Sequence, residues 1–342
     1  MRKRWFLAVV VGIMALALLL PACAAPAPEV ITLKYSAWTK PPPNPFGMTV
    51  DWCMRQVESR SNGRVKFEEY WLGSLIPAKS EVEAMGKGVA DICTVFQPFV
   101  KSRLTLIDVA ALPGFGTSLR EQGPAMFELV KMKAIKDQFD KNNLVFMWVQ
   151  GGDPIDVITK GKAVRTVDDL KGLKIRSAGD QAKALKALGA VPVSLTSTEC
   201  PEALERGTVD GICMSYVGMK VWALQDFGDY HTEIFVNTNL FYTFMNKDSW
   251  LALPDDIKKI FEDVADESAA TLIRIYEENI GTFKNEVWPA AGVEIIELSA
   301  ADKAKIAEAS MATWDAWAKK QNEAGLAGTE VLNKWKEIRG LK

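Results

Sequence analysis

The residues that could carry out catalysis are few in this chain. Its single histidine is His231, so a Ser-His-Asp triad or a histidine-ligated metal would depend on that one side chain. We expect His231, in the turn-like run 228–231, to lie at the surface or to support another residue rather than to catalyse. The sequence contains no HExxH, GxSxG or Walker A motif, and the glycines at 114 and 116 lack the third glycine of a dinucleotide-binding loop. We therefore predict that the protein is not an enzyme and that it binds neither a metal ion nor a cofactor.

Arg176 has the type and position of a ligand-binding residue. It ends a short strand, 173–176, that follows Gly172. Ligands of open α/β sheets bind beyond the carboxyl ends of the strands, and a guanidinium can hold a carboxylate through two parallel hydrogen bonds, which lysine cannot do. The sequence alone leaves two interpretations open, a carboxylate-binding arginine or an arginine exposed at a strand end.

The first residues are typical of an export signal. Three basic residues at 2–4 precede an apolar run at 5–20, which is shorter than most membrane-spanning helices. We predict a signal peptide over 1–22, so these residues do not belong to the mature fold.

The end of this leader resembles a bacterial lipobox. The sequence at 20–23 is Leu-Pro-Ala-Cys, so cleavage would leave Cys23 as the first residue, with a lipid on its thiol. Residues 23–30 would then form a tether between the membrane and the folded protein. The alternative is ordinary signal cleavage within 22–27, which would remove Cys23.

The remaining cysteines are Cys53, Cys93, Cys200 and Cys213, and none belongs to a CxxC motif, which argues against a zinc site. In an exported protein they could form disulfides. Cys200 opens a predicted helix and Cys213 closes the strand after it, so these two are the candidate pair; four buried thiols are the alternative.

The net formal charge of the chain is −2. Binding of nucleic acid needs a basic surface, so this charge argues against nucleic acid as a partner.

Strand and helix patterns alternate along the mature chain, which predicts an α/β fold with parallel strands and helices on both faces of the sheet. The segment 83–91 recurs at 202–210 with four of nine residues identical, which indicates two similar lobes. A helical apolar stripe covers 254–288, and at 1.5 Å per residue thirty residues span about 45 Å. Such a helix either kinks, with Gly281 as the expected bend, or runs across both lobes as a shared strut.

Five segments carry a family resemblance: 62–66, 167–176, 192–211, 246–254 and 314–317, among which VDDLKGLKIR at 167–176 is the most distinctive. In this order they resemble the signature of the solute-binding proteins of TRAP transporters, the tripartite ATP-independent periplasmic transporters. The chain is identified as a member of that family, because the matches extend across nearly the whole mature sequence.

The resemblance implies a two-lobed periplasmic-binding-protein fold, with hinged lobes and a long strut helix that spans both. We predict lobe 1 at 31–152 plus about 242–280, and lobe 2, with the C-terminal helices, at 153–241 plus about 281–342. The resemblance also implies a lipid-anchored receptor on the periplasmic or extracellular face, which captures a small organic acid and delivers it to an ion-driven membrane permease. A ligand sensor that signals to a membrane receptor is the alternative, and a secreted hydrolase is disfavoured because no nucleophile motif is present.

The resemblance assigns Arg176 to the carboxylate of the ligand. Asp156 stands where many members carry a second arginine and Met214 where many carry asparagine, which favours a ligand with one carboxylate over a C4-dicarboxylate or a sialic acid. Residues at or just past strand ends are expected to supply the other walls and polar contacts of the site: Trp38, Phe96, Gln97, Gln150, Asp153, Asp156, Met214, Ser215 and Tyr216.

Overall fold

The computed structural model describes residues 29–100, 103–115, 119–150, 152, 154–177, 180–238 and 240–341, with the backbone alone at 119, 150 and 180. The predicted leader, Cys23 and Asp153 lie outside these residues, as does the side chain of Gln150. None of the described helices is long and apolar enough to cross a bilayer.

The first part of the chain alternates strands and helices. The strands are β1 (Ile31–Ala37), β2 (Val65–Tyr70), β3 (Ile92–Phe96) and β4 (Leu144–Gln150). The helices are α1 (Pro45–Arg60), α2 (Glu81–Gly86), α3 (Gln97–Val100), α4 (Leu119–Leu129) and α5 (Lys133–Lys141). The Asn44 side chain caps α1 by accepting a hydrogen bond from the Phe46 amide, and a proline at the first helical position favours the same start.

The second part repeats this alternation. The strands are β5 (Ile155–Thr159), β6 (Lys174–Arg176), β7 (Val191–Val193), β8 (Gly211–Ser215) and β9 (Tyr230–Glu233). The helices are α6 (Asp180–Ala187), α7 (Cys200–Glu205) and α8 (Tyr216–Val221).

The third part returns to the first sheet and then adds the C-terminal helices. Its elements are β10 (Phe241–Asn246), α9 (Lys247–Ala252), α10 (Asp255–Thr282), a π-helical turn (Phe283–Val287), α11 (Trp288–Ala290), β11 (Glu294–Glu297), α12 (Ala300–Glu323) and α13 (Gly328–Ile338).

Two sheets organise the two lobes. Lobe 1 has the strand order β2-β1-β3-β10-β4, and lobe 2 has the order β11-β9-β5-β8-β6-β7. The parallel pairing predicted from the sequence holds for β1 with β2 and β3, and for β6 with β7 and β8. It fails for β10 and β5, which run antiparallel to both of their neighbours. Each of these two strands enters its lobe from the cleft, so it begins at the edge where the neighbouring strands end.

The long helix predicted as a strut is confirmed. α10 has 28 residues, about 42 Å, and its side chains Ile257 and Phe261 pack in the core of lobe 1. The helix continues through the π-helical turn into α11, where Phe283 and Trp288 pack in the core of lobe 2. The irregular turn lies directly after Gly281, the expected bend, and π-turns are a recognised cause of helix kinks.

The C-terminal helices differ from their predicted place in lobe 2. The first half of α12 packs on lobe 2 through Ile306, but Trp314 in its second half stacks on Phe115 of lobe 1 with ring centroids 4.1 Å apart. Trp335 of α13 is also buried in the core of lobe 1. One long helix can thus pack against the cores of both lobes. A prediction that assigns each segment of the chain to a single lobe does not anticipate this.

Candidate functional site

A cavity of about 810 Å³ lies between the facing edges of the two sheets. Trp38 and Phe96 reach it from the ends of β1 and β3, and Phe241 from the start of β10. Arg176 reaches it from the end of β6, and Ser215 from the end of β8. The cavity therefore lies at the carboxyl edges of the parallel strands, where the sequence placed the ligand site.

The wall on lobe 1 is a cluster of aromatic rings. Phe241 is at its centre, with ring centroids 4.4 Å from Phe46, 4.8 Å from Phe96 and 6.1 Å from Trp38. Trp38 also packs on Phe96 at 5.3 Å. Tilted and offset-stacked rings at these distances stabilise one another and offer flat apolar faces to a ligand.

The wall on lobe 2 carries the arginine. Arg176 has an exposed fraction of 7%, its Nε donates to the carbonyl of Leu195 at 3.0 Å, and its Nη2 donates to Ser197 Oγ at 3.3 Å. No carboxylate of the described residues forms an ion pair with it. A guanidinium has five N–H donors, so these two bonds fix its orientation and leave donors for an acid in the cavity.

The charge of the cavity wall is positive over the described residues. Lys40 on lobe 1 and Arg176 on lobe 2 line it, and no aspartate or glutamate does. Lys40 is exposed, whereas Arg176 is buried, so the two cations differ in how strongly water screens them. An anionic group in this cavity would find its strongest partner at Arg176.

Polar side chains of lobe 2 complete the wall. Met214 and Ser215 line the cavity, and the Ser215 hydroxyl caps α8 by accepting a hydrogen bond from the Gly218 amide. Asn237, on the segment between β9 and β10, lines the cavity and donates to the Ala111 carbonyl at 3.2 Å. These groups can bond to substituents of a ligand without adding charge.

Three predicted site residues point elsewhere. Tyr216 follows Ser215 but faces the core of lobe 2, where its hydroxyl donates to Glu233 at 2.9 Å and its ring stacks on Trp288. Gln97 is fully buried and its amide nitrogen donates to Asp108. A residue next to a strand end can face the cleft or the core, and the turn into the following helix decides which.

Asp156 is the third. It is fully buried, its Oδ1 accepts from the Phe235 amide at 2.9 Å, and its Oδ2 lies 3.5 Å from His231 Nε2. It therefore connects the chain segment entering lobe 2 to the segment leaving it, and it does not line the cavity. A second carboxylate of a ligand in the cavity would therefore not meet Asp156, so this residue does not distinguish between ligands with one and with two carboxylates.

His231 is fully buried rather than at the surface. Its ring packs on Tyr216 with centroids 4.1 Å apart and lies beside Trp288. It therefore packs in the core of lobe 2 and, within the described residues, does not line the cavity.

The proposed disulfide is wrong, because Cys200 and Cys213 are both free thiols in the structure. Alternate residues of β8 face opposite sides of the sheet. Cys213 faces the cluster that contains Ile175, whereas Cys200 lies in the cluster that contains Ile212 and Met214 on the other side. Burial raises the pKa of both thiols, which keeps them protonated and unreactive. Cys53 and Cys93 are also buried and free.

Sequence reasoning missed several wall residues, above all Phe241, Phe46 and Lys40. Residues after strand ends are the expected ligand contacts in such a sheet, but β10 begins at the cavity, so its first residue rather than its last lines the wall. A strand that follows a crossing between lobes is the signal that could have found Phe241.

Two α/β lobes, joined by crossing segments and enclosing a cavity with the buried cation Arg176 in its wall, define a solute-binding protein of the periplasmic type. The chain matches the family model of bacterial extracellular solute-binding proteins, family 7 (DctP), over residues 39–321, and it belongs to this family. Members are receptors that bind a substrate for transport and are not enzymes.

Relatives agree with this assignment. The C4-dicarboxylate-binding periplasmic protein DctP of Rhodobacter capsulatus is 26% identical over 318 residues, 89% of this chain and 91% of that protein. A solute-binding protein of Albidiferax ferrireducens is 27% identical over 173 residues, which is half of each chain.

Solved structures show the same fold. A TRAP periplasmic solute-binding protein of Desulfovibrio salexigens superposes with a TM-score of 0.82 at 29% identity, covering 90% of this chain and 95% of that one. A TRAP solute-binding protein of Rhodoferax ferrireducens, solved with copurified benzoate, gives a TM-score of 0.75 at 25% identity, covering 91% and 98%.

Proposed function

We propose that this protein is the extracytoplasmic subunit of a TRAP transporter and that it binds an aromatic monocarboxylate between its lobes. The observation that carries the proposal is Arg176, which is buried in the wall of the cavity that also holds the aromatic cluster and forms no ion pair with a carboxylate of the described residues. A carboxylate paired with Arg176 would project its ring toward Trp38, Phe96 and Phe241. The benzoate held by the Rhodoferax ferrireducens protein is a ligand of this class in a relative.

The binding mechanism follows from the division of the cavity between lobes. The guanidinium takes the carboxylate through charge-assisted hydrogen bonds, and the rings of lobe 1 cover the apolar body of the ligand. A closed form contacts the ligand from both sides, so the ligand shifts the lobes toward closure. Closure also removes water from the ion pair, which strengthens it. The closed protein then delivers the acid to an ion-driven membrane permease.

A thermal-shift screen followed by calorimetry tests the ligand class. Because a ligand that binds the folded state raises the melting temperature, benzoate and hydroxybenzoates should raise it more than acetate, succinate or glucuronate at equal concentration. A larger shift with succinate than with any aromatic acid would contradict the proposed class while leaving the receptor role intact.

We also propose that the mature protein begins at Cys23 and is anchored through a lipid on its thiol. Support comes from the lipobox-like sequence at 20–23, which lies outside the described residues. The native protein should fractionate with membranes, and Cys23→Ser should release it. A wild-type protein recovered without lipid would show ordinary signal cleavage instead.

A further inference from the structure

Leu72 combines two features that are unfavourable for a leucine. It follows β2 with a φ of 61°, in the left-handed region that side chains other than glycine and asparagine rarely adopt. Its side chain is also 64% exposed, and it lines the cavity. Backbone strain and an exposed apolar side chain at one position suggest a function for Leu72 beyond the packing of lobe 1.

The surrounding backbone holds Leu72 in this conformation. The Leu72 amide donates to the Thr39 carbonyl at 3.2 Å, and the Gly73 amide donates to the Ala37 carbonyl at 3.0 Å. The neighbouring Trp71 packs edge-on against Tyr35 with centroids 5.1 Å apart. The turn is therefore fixed to the segment that carries Trp38, and the leucine stays at the wall of the cavity.

Lobe 2 presents a matching side chain. Val221 ends α8, is 59% exposed and lines the same cavity. Within the described part of the chain, the other large apolar side chains that are this exposed do not line the cavity; examples are Val30 and Leu251. Each lobe thus contributes one solvent-facing aliphatic side chain to the cavity wall.

We propose that Leu72 and Val221 form an apolar closing contact, which comes together over the bound ligand when the lobes close. This inference rests on the proposed function, because it requires a ligand that closes the cleft. The contact removes both side chains from water only in the closed form, so it slows ligand release rather than ligand entry. It also disfavours ligands whose hydroxyl groups would lie beneath it.

Substituting Leu72 tests the proposal with benzoate as the probe, on the full mature protein. Leu72→Gly accepts the positive φ but lacks the side chain, so we expect the melting temperature without ligand to rise by about 2 °C. We expect benzoate to dissociate about tenfold faster in stopped-flow measurements. The matched control is Asn62→Gly, at an exposed position of the same lobe with a φ of 53°, which should leave dissociation unchanged.

A double-mutant cycle separates direct contact from a general loosening of the turn. Leu72→Ala and Val221→Ala should each speed benzoate release, and the effect of the second should shrink in the background of the first. Strictly additive effects, or unchanged dissociation in both Leu72 variants, would overturn the closing contact alone. Failure of benzoate to bind the unaltered protein would overturn the proposed aromatic ligand and this inference together.

Discussion

The two walls of the cavity differ in the chemical groups that they present. Lobe 1 presents the rings of Trp38, Phe96 and Phe241, whereas lobe 2 presents the Arg176 guanidinium with Ser197 behind it. A ring cluster stabilises a bound ligand in proportion to the apolar area that it buries, almost independently of the ligand's orientation. A guanidinium, by contrast, fixes the direction of one acid group through hydrogen bonds. Neither wall provides both contributions, so under the proposed function tight binding requires contact with both lobes. Selectivity for the acid group and selectivity for the ligand body can therefore be altered separately.

The largest effect should come from removing the buried cation. Arg176→Ala leaves the ligand carboxylate buried without a partner, which should cost about 3 kcal/mol, or more than a hundredfold in Kd, by calorimetry with benzoate. Arg176→Lys should recover part of this loss, because charge is retained without two parallel donors.

Lys40→Ala is the matched control for this prediction. Lys40 lines the same cavity from lobe 1 but is exposed, so solvent screens it and the change in Kd should be within about threefold. If both alanine variants lost the same affinity for benzoate, the proposed difference between the two walls would be contradicted.

The buried carboxyl of Glu81 in lobe 1 should make the stability of the protein depend on pH. Glu81 is buried at the start of α2, and burial raises its pKa to about 9; the Trp38 amide partly opposes this rise. A raised folded-state pKa contributes stability that is full below the unfolded-state value of about 4.5 and is lost as pH rises through 9. Glu81→Gln should therefore be stabilising at pH 8, by up to ~3 kcal/mol, and near neutral at pH 4.

Urea unfolding of both forms at several pH values provides the measurement. Glu83→Gln is the control on the same helix: Lys87 and Arg103 lower the pKa of the Glu83 carboxyl, so this substitution should give no stabilisation at pH 8. A difference between Glu81→Gln and wild type that does not change with pH would mean that Glu81 is ionised when folded.

Replacing one ring of the aromatic wall should reduce ligand affinity less than the loss of Arg176 does. Trp38→Leu removes ring contacts with Phe96 and Phe241 and one face of the cavity, so benzoate affinity should fall by about tenfold. Trp250→Leu, in the same lobe but outside the cavity wall, should leave Kd unchanged in the same titration. If Trp38→Leu weakens acetate as much as benzoate, the wall does not select the ligand body.

The smallest expected effect concerns the cysteines, in which the two lobes are alike. Cys53 and Cys93 in lobe 1 and Cys200 and Cys213 in lobe 2 are all buried thiols. Adding dithiothreitol should therefore leave the melting temperature unchanged. A drop of several degrees would indicate a disulfide that the structure does not contain.

The sequence predicts this fold well where the signal is local or directional. The position of Arg176 at the cavity edge follows from its place at a strand end of an α/β sheet, although only the family resemblance assigns it to the ligand; the strut helix follows from an apolar stripe longer than one lobe. The sequence does not show which way Tyr216 faces, because successive residues at the start of α8 point in different directions. Ser215 therefore faces the cleft, whereas Tyr216 faces the core. Phe241 was missed because chain order does not reveal that β10 runs in reverse. Such features depend on contacts between distant segments, which periodicity does not contain.

Helix α12 connects the two lobes through hydrogen bonds near its start and farther along its length. Asp302 near its start accepts from the Val167 amide of lobe 2, and the Trp314 indole farther along donates to the Pro113 carbonyl of lobe 1. A helix that is bonded to both lobes limits how far one lobe can rotate relative to the other. If the lobes close around an acid as proposed, the bending of α12 would limit this closure in the same way for every ligand. A permease that recognises the closed form would then meet one shape whichever acid is bound.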